Sequence, residues 1–392
     1  MTSQTQSPPS ASSQDSLNEP LPVPASPEKK AIDLLGPGTE LHATVLRHLL
    51  NRLEFSENRM SKFYARWASR EKEVQAYIDL PDYEEQLRLM AKTRNQPIAV
   101  SLNIPYTYAT IATIATYLTH TFTGRKPIFA VGANSGESSE AAMNVETFLQ
   151  WNADSRLMIK RFMQFFKDAE IYGVGAMKCV WEIENRKRTS WTKTVLGESV
   201  SKREVKTVFE GNDLDNIDPY MFFPDPRVPM SEVAFIGEFV FWRNFVSPFS
   251  LRKGESEGKY KWTQTQHIGT LPAPSGVLGG VSARSLRAQG DSSPGNSMNN
   301  RGWELEFVQH DQGTIEIIPK DLGLGDSDMP EKWLFTIANK KQIIGAEAFD
   351  YDHDMHPVVV VEPHSIGYRF GHLSTAVYLS PIEEAASWLL NS

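Results

Sequence analysis

The sequence predicts an α+β fold in which helices come first and strands later. Three observations carry this. Between residues 41 and 67, Leu41, Val45, Leu46, Leu49, Leu50, Leu53, Met60, Phe63, Tyr64 and Trp67 recur at three- and four-residue spacing, the period of one helix face. From residue 176 onward, short runs rich in Val, Ile, Phe, Trp and Tyr alternate with turn residues, which reads as strands. The 392 residues are 40% hydrophobic and 22% charged, ordinary for a folded chain of two or three domains, or one with insertions.

The elements follow in order. Residues 1–36 are dominated by Ser, Pro and Gln without helical period and read as a disordered arm. After Gly36-Pro37-Gly38, Thr39 can cap one long helix, or two in tandem, to about residue 78, where Asp79-Leu80-Pro81-Asp82 breaks it. A helix over 105–123 is closed by Gly124-Arg125-Lys126-Pro127; the basic pair suits the negative end of the dipole, and Pro127 cannot continue the helix. Residues 127–131 then read as a short strand. Helices over 138–152 and 154–172 follow, the second with an apolar stripe of Leu157, Ile159, Phe162, Phe165, Phe166, Ala169 and Tyr172. Gly173 and Gly175 release the chain into an extended run.

Strands are expected at 176–183, 203–209, 233–246, 303–309, 313–318, 333–338 and 342–349. Asp218-Pro219 is a turn signal, and Tyr220 to Phe223 reads as a short strand buried on both faces. Pro224 and Pro226 fix the backbone and remove two amide donors, so Asp225 is presented on a rigid frame with Arg227 near enough to pair with a carboxylate. Residues 251–302 form a flexible loop rich in Gly, Ser and Pro. A final helix begins near Ser380, with Pro381 at its first position. It ends in apolar Trp388, Leu389 and Leu390, an end that predicts a longer natural chain.

Charge and motifs narrow the chemistry. The net charge of −8 does not advertise a protein that wraps nucleic acid. Cys179 stands alone, so no internal disulfide forms. No apolar leader is present, and the stretch Tyr106 to Thr123 carries seven threonines and His120, too polar for a lone span. The chain has no phosphate-binding G-x-x-x-x-G-K-[ST], no G-x-S-x-G, no H-E-x-x-H and no C-x-x-C, which points away from an enzyme and from a bound cofactor.

Two stretches keep alternatives open. Asp350, Asp352, His353, Asp354 and His356 fall within seven residues; they are a connector between strands, or ligands for a divalent metal. Residues 186–206 carry seven bases and two acids. There Arg186, Lys187, Arg188, Trp191 and Lys193 form a hairpin tip that is simply solvated, meets nucleic-acid phosphate, or meets an acidic patch on a neighbouring subunit. Residues 252–301 hold seven bases and three acids, and 320–392 eleven acids and five bases.

The order of motifs resembles one family. A long helical start leads to a helix ending in "GRKPIF". A "WNAD" helix pair then runs into "DAEIYGVGAMKCVWE", a β-hairpin, and "DPYMFFPDPRV". This is similar to the portal proteins of tailed bacteriophages. The resemblance rests on a Y-G-x-G helix end (Tyr172, Gly173, Gly175), a strand tryptophan (Trp181) and a D-P-x-x-F-x-x-D-P segment (Asp218, Pro219, Phe222, Asp225, Pro226) followed by Arg227. It covers about residues 40–250 and 330–392.

The resemblance implies a helix-rich wing with β-hairpins over 37–250, a β-rich clip-like region over 303–363, and the start of a stem or core helix over 364–392. It also implies a ring of about twelve subunits closed by rotation at the portal vertex of the virion, assembled in the host cytoplasm. Double-stranded DNA would pass through without sequence readout. Terminase and tail adaptors would dock, and the major capsid and scaffolding proteins would be neighbours. Asp218, Asp225 and Arg227 would hold geometry, not catalyse. The alternatives are a monomeric nucleic-acid-binding module using the 186–206 hairpin, and a metal-dependent phosphoesterase using the 350–356 cluster.

Overall fold

The structure is a computed structural model that describes residues 31–74, 104–133, 138–193, 199–269, 308–349, 351–365, 367 and 370–391. It is α+β. Helix α1 (Glu40–Val74) is continuous over 35 residues, roughly 50 Å at 1.5 Å per residue. Helices α2 (Tyr106–Thr123), α3 (Ser139–Ser155) and α4 (Met158–Tyr172) follow, close to where periodicity places them.

A hairpin comes next, β1 (Gly175–Lys193) with β2 (Ser199–Ile217). Strands β3 (Phe222–Pro224), β4 (Phe239–Val246), β5 (Val308–Ile317), β6 (Glu331–Ala338) and β7 (Gln342–Ala348) pair in that order as one antiparallel sheet. Helix α5 (Pro248–Ser256) lies between β4 and β5. Strand β8 (Val358–Val361) joins β1 at its root, β9 (His364–Ser365) pairs with β10 (His372–Leu373), and α6 (Thr375–Asn391) ends the described chain. The 37–250 and 303–363 stretches therefore share one sheet.

Alternation places the core on both faces of that sheet. Phe239 and Phe241 of β4 pack with Leu49, Leu53 and Met60 of α1. Val240 and Trp242, pointing the other way, pack with Phe222, Val233, Ala234 and Val358. This accounts for the greasy run at 220–223: Tyr220, Met221 and Phe223 face the α1 side, Phe222 the opposite one.

Several expectations are corrected. Residues 31–35 are not part of a loose arm. Ala31–Asp33 forms a 3-10 turn, Ala31, Ile32 and Leu35 are buried, and Trp262 Nε1 donates to the Ile32 carbonyl at 3.3 Å. Residues 1–30 lie outside the described residues. The run at 127–131 is not a strand, because α3 takes its amides: Ile128 N donates to Gln150 Oε1 at 2.9 Å and Val131 N to Glu146 Oε2 at 3.1 Å. Tyr220 and Met221 lie in a 3-10 turn (Pro219–Met221), and only Phe222–Pro224 pairs as strand.

The strand expected from 233 begins with a helical turn, Val233–Ile236; burial of Val233 and Ala234 under the sheet overrides the β propensity of Val233. Of the two strands expected at 303–309 and 313–318, residues 303–307 lie outside the described residues, and the rest is one strand, Val308–Ile317, running through Gly313. Helix α6 starts at Thr375, not near Pro381, which lies inside it. Thr375 Oγ1 donates to Glu170 Oε2 and Ala376 is fully buried, so tertiary contact sets the start. The loop expected at 251–302 falls partly on α5 and otherwise mostly outside the described residues. No helix among the described residues is long and apolar enough to cross a membrane.

Candidate functional site

The signature residues other than Trp181 lie where α4 ends and where the 217–227 segment crosses under α1. Tyr172 closes α4 with its ring edge-on to Trp67, at 5.7 Å, and to Tyr220, at 5.8 Å. Its hydroxyl donates to Glu71 Oε1 at 2.8 Å, and its carbonyl accepts from Trp67 Nε1 at 3.0 Å. Gly173 caps the helix at φ +83°, in the left-handed region. A Cβ there would lie 2.8 Å from the Leu373 carbonyl carbon. At Gly175 the strand passes so close to α4 that a Cβ would lie 2.7 Å from the Phe165 carbonyl oxygen. The Y-G-x-G motif is thus a helix stop followed by a close helix–strand crossing.

The second motif builds a clamp. Asp218 caps the 3-10 turn by accepting from Tyr220 N at 3.0 Å, with Pro219 at the first position. Phe222 is fully buried opposite Trp242. Asp225, between Pro224 and Pro226, is 1% exposed. It accepts from Arg227 Nε at 2.9 Å, Arg227 Nη2 at 2.6 Å, Arg227 N at 3.0 Å and Glu238 N at 3.1 Å.

Burial alone would raise the Asp225 carboxyl, but Arg227 and these amides hold it below the usual carboxylate range. Arg227 also donates to Glu238 Oε2, and Glu238 Oε1 accepts from Arg52 Nε at 2.6 Å. Helix α1 holds the segment at two further points. Ser56 Oγ donates to the Pro224 carbonyl at 2.6 Å and Tyr64 Oη to the Tyr220 carbonyl at 3.0 Å.

Sequence reading missed Arg52, Ser56, Tyr64 and Glu238. It also missed a neighbouring buried network in which Arg243 donates to Asp311 Oδ1 at 2.5 Å and to Glu57, and Lys340 Nζ reaches Glu57 at 2.6 Å. The only sequence signal was helical spacing: residues 52, 56, 60, 63 and 67 share a face of α1.

Trp181 lies on β1, half-exposed, with Phe148 of α3 at 6.1 Å. The tract expected at a hairpin tip is instead paired strand: Arg186 faces Lys206, Lys187 faces Val205 and Arg188 faces Glu204. A buried face generates the two-residue apolar period, and among the described side chains from Arg186 to Thr189 and Glu204 to Val208 none is buried, so pattern alone stopped short. Arg186, Lys187, Arg188, Val205 and Lys206 are exposed. The backbones of Trp191 and Lys193 belong to β1, and their side chains lie outside the described residues.

The described residues of the 350–356 cluster do not converge. Asp350 lies outside the described residues. His356 is buried, its Nε2 donating to the Gly237 carbonyl at 2.9 Å and its Nδ1 accepting from Thr314 Oγ1 at 2.6 Å. Asp354 pairs with Lys332 at 3.1 Å, and His353 Nδ1 accepts from Met355 N at 3.0 Å. Among the described residues no group of three or more His, Cys, Asp or Glu side chains is placed to hold a metal ion. The clamp offers charge-assisted hydrogen bonds and rigid backbone, an arrangement suited to fixing geometry.

No protein-family model matches the chain, and no curated protein matches it.

Proposed function

We propose that this chain is a subunit of a tailed-phage portal. A ring of about twelve copies at one capsid vertex would give double-stranded DNA a channel for packaging and ejection. The observation that carries the reading is the chain order of two architectural motifs on one helix. A Y-G-x-G stop switches α4 into β1, and a D-P-x-x-F-x-x-D-P segment is then clamped by α1.

Each signature residue in these motifs fills a backbone or packing role, which suits a part whose work is geometric. Large apolar side chains at Tyr117, Phe122, Met143 and Trp388 face solvent in the single copy, and subunit contact would cover such surface. In this reading the 37–250 stretch is wing, and 303–363 supplies the clip-like region where terminase and tail adaptors dock. Residues 364–392 begin the stem or core, and the capsid and scaffolding proteins are neighbours.

The test is the mass of the purified particle by native mass spectrometry or light scattering, with negative-stain images of the same sample. A closed ring of about ten to fourteen copies with a central hole is the expected result. A chain that stays a single copy at every concentration would overturn it.

A further inference from the structure

The outer half of the β1–β2 ribbon has three properties together. It is freestanding: β8 pairs with β1 only at Gly175–Lys178, and among the described residues no other strand joins it. Its root is held. Arg156 reaches Glu182 at 3.5 Å, Glu184 at 3.6 Å and Asp213 at 3.8 Å, and lies 3.7 Å from the Phe209 ring. The register shift between Glu184 and Asn185 marks where this support ends. Beyond it, the described ribbon carries four bases to one acid: Arg186 lies directly opposite Lys206, Arg188 opposite Glu204, and Lys187 opposite exposed Val205 on the other face. A two-stranded hairpin alone is marginal in water, and like charges directly opposite weaken it further. Such an arm calls for an anionic cover.

The same chain carries one. Its net charge is −8 although 186–206 alone is +5, so the remainder is more acidic than the total. The loop between β5 and β6 presents exposed Asp321, Asp326 and Asp328 around Met329, which is 71% exposed. The two surfaces are reciprocal: cations around an exposed valine, carboxylates around an exposed methionine. Ion pairs among the described residues keep each to its own neighbourhood, Arg186 with Glu184 and Lys320 with Asp328.

We infer that the β1–β2 arm of one copy docks on the 321–329 loop of a second copy of this chain. The inference rests on the reading that copies of the chain assemble, and it names the contact. Because the two surfaces differ, the contact is heterologous and propagates, closing into a ring when the rotation allows.

The test uses four proteins: the unmodified chain, an arm variant (Lys187→Glu, Arg188→Glu, Lys206→Glu), a loop variant (Asp321→Lys, Asp326→Lys, Asp328→Lys), and a chain carrying both sets. All substituted positions are exposed, and melting curves verify folding. Light scattering against concentration should show self-association weakened roughly tenfold or more in each single-surface variant. It should recover in the chain carrying both, and the unmodified chain should lose association as salt rises.

An arm variant that assembles like the unmodified chain overturns the inference, as does failure of the double reversal to recover. So does an arm variant that self-associates normally but loses affinity for a duplex DNA oligonucleotide in fluorescence anisotropy, which assigns the arm to nucleic acid. A ring indifferent to arm reversal leaves the portal reading standing. Arm-dependent open chains instead of rings would support this contact and overturn the ring.

Discussion

Arg243 shows what a single residue demands of its surroundings. It is buried between Asp311, which is fully buried, and Glu57. Burial would lower the guanidinium, yet the two carboxylates hold it above its usual value, and Arg243 and Lys340 in turn pull Glu57 below its own. Gln309 Nε2 donates to the second Asp311 oxygen at 2.6 Å, so the network is satisfied. Such a pair is weak evidence for net stability, but removing one member strands a charge. Asp311→Ala should therefore lower the unfolding free energy by about 3–5 kcal/mol, read from urea denaturation at neutral pH. Arg227→Ala should cost less, because Asp225 keeps its hydrogen bonds from the backbone amides of residues 227 and 238. If Asp311→Ala shifts stability by less than Arg227→Ala, this ranking is wrong.

At the scale of elements, the Y-G-x-G corner is the point where a small change travels. An alanine at residue 173 would have to hold φ near +83° and press on the Leu373 backbone and the His372 ring. The conformation alone costs about 1–3 kcal/mol, and the clash adds to it by displacing β10. Gly258→Ala is the control: its φ is +78°, but nothing lies within 4 Å of a Cβ. The difference between the two melting temperatures isolates the packing contribution, and equal losses would show that backbone conformation alone matters.

Legibility from sequence follows the same line between local and distant causes. Helices α1 and α4 stood out because each carries an apolar stripe at helical period. The Asp225–Arg227 pair stood out because its partners are two residues apart. Arg52, Ser56 and Glu238 did not, since their meeting depends on α1 crossing a segment 168 to 186 residues later. The described side chains of the outer ribbon bury no face, and α6 begins where Thr375 meets Glu170, so neither leaves a periodic trace.

The molecule as a whole should respond to acid in a defined direction. His310 and His372 are buried, and their ring nitrogens have no hydrogen-bond partner among the described residues. Tyr260 packs edge-on against the first, and Phe63 and Trp67 flank the second. Burial, aided by nearby Lys178 and Arg66 respectively, pushes both imidazoles down to about 4. A histidine near 6.5 in the unfolded chain and lower in the fold takes up its proton on unfolding. Its contribution is therefore complete above pH 6.5 and withdrawn as pH falls toward 4, on the order of 3 kcal/mol for each of the two.

His42, whose Nε2 accepts from Ile343 N at 3.2 Å, and His356 are lowered chiefly by burial and act in the same sense. Further into acid the depressed carboxylates Glu57, Asp225 and Glu238 withdraw theirs. Glu362 opposes this: burial raises it to about 7, so its contribution shrinks as pH rises from its unfolded value through 7. Burial likewise raises the Asp213 carboxyl, so these four lowered imidazoles stand against two raised carboxyls and leave a net rise of stability with pH between 4 and 6.5. Urea unfolding across that range should show the rise. His372→Phe, which keeps the ring between Phe63 and Trp67, should flatten it, and Glu362→Gln should steepen it. A flat profile for the unmodified chain, or one that falls as pH rises, would mean that these histidines are not held neutral by the fold.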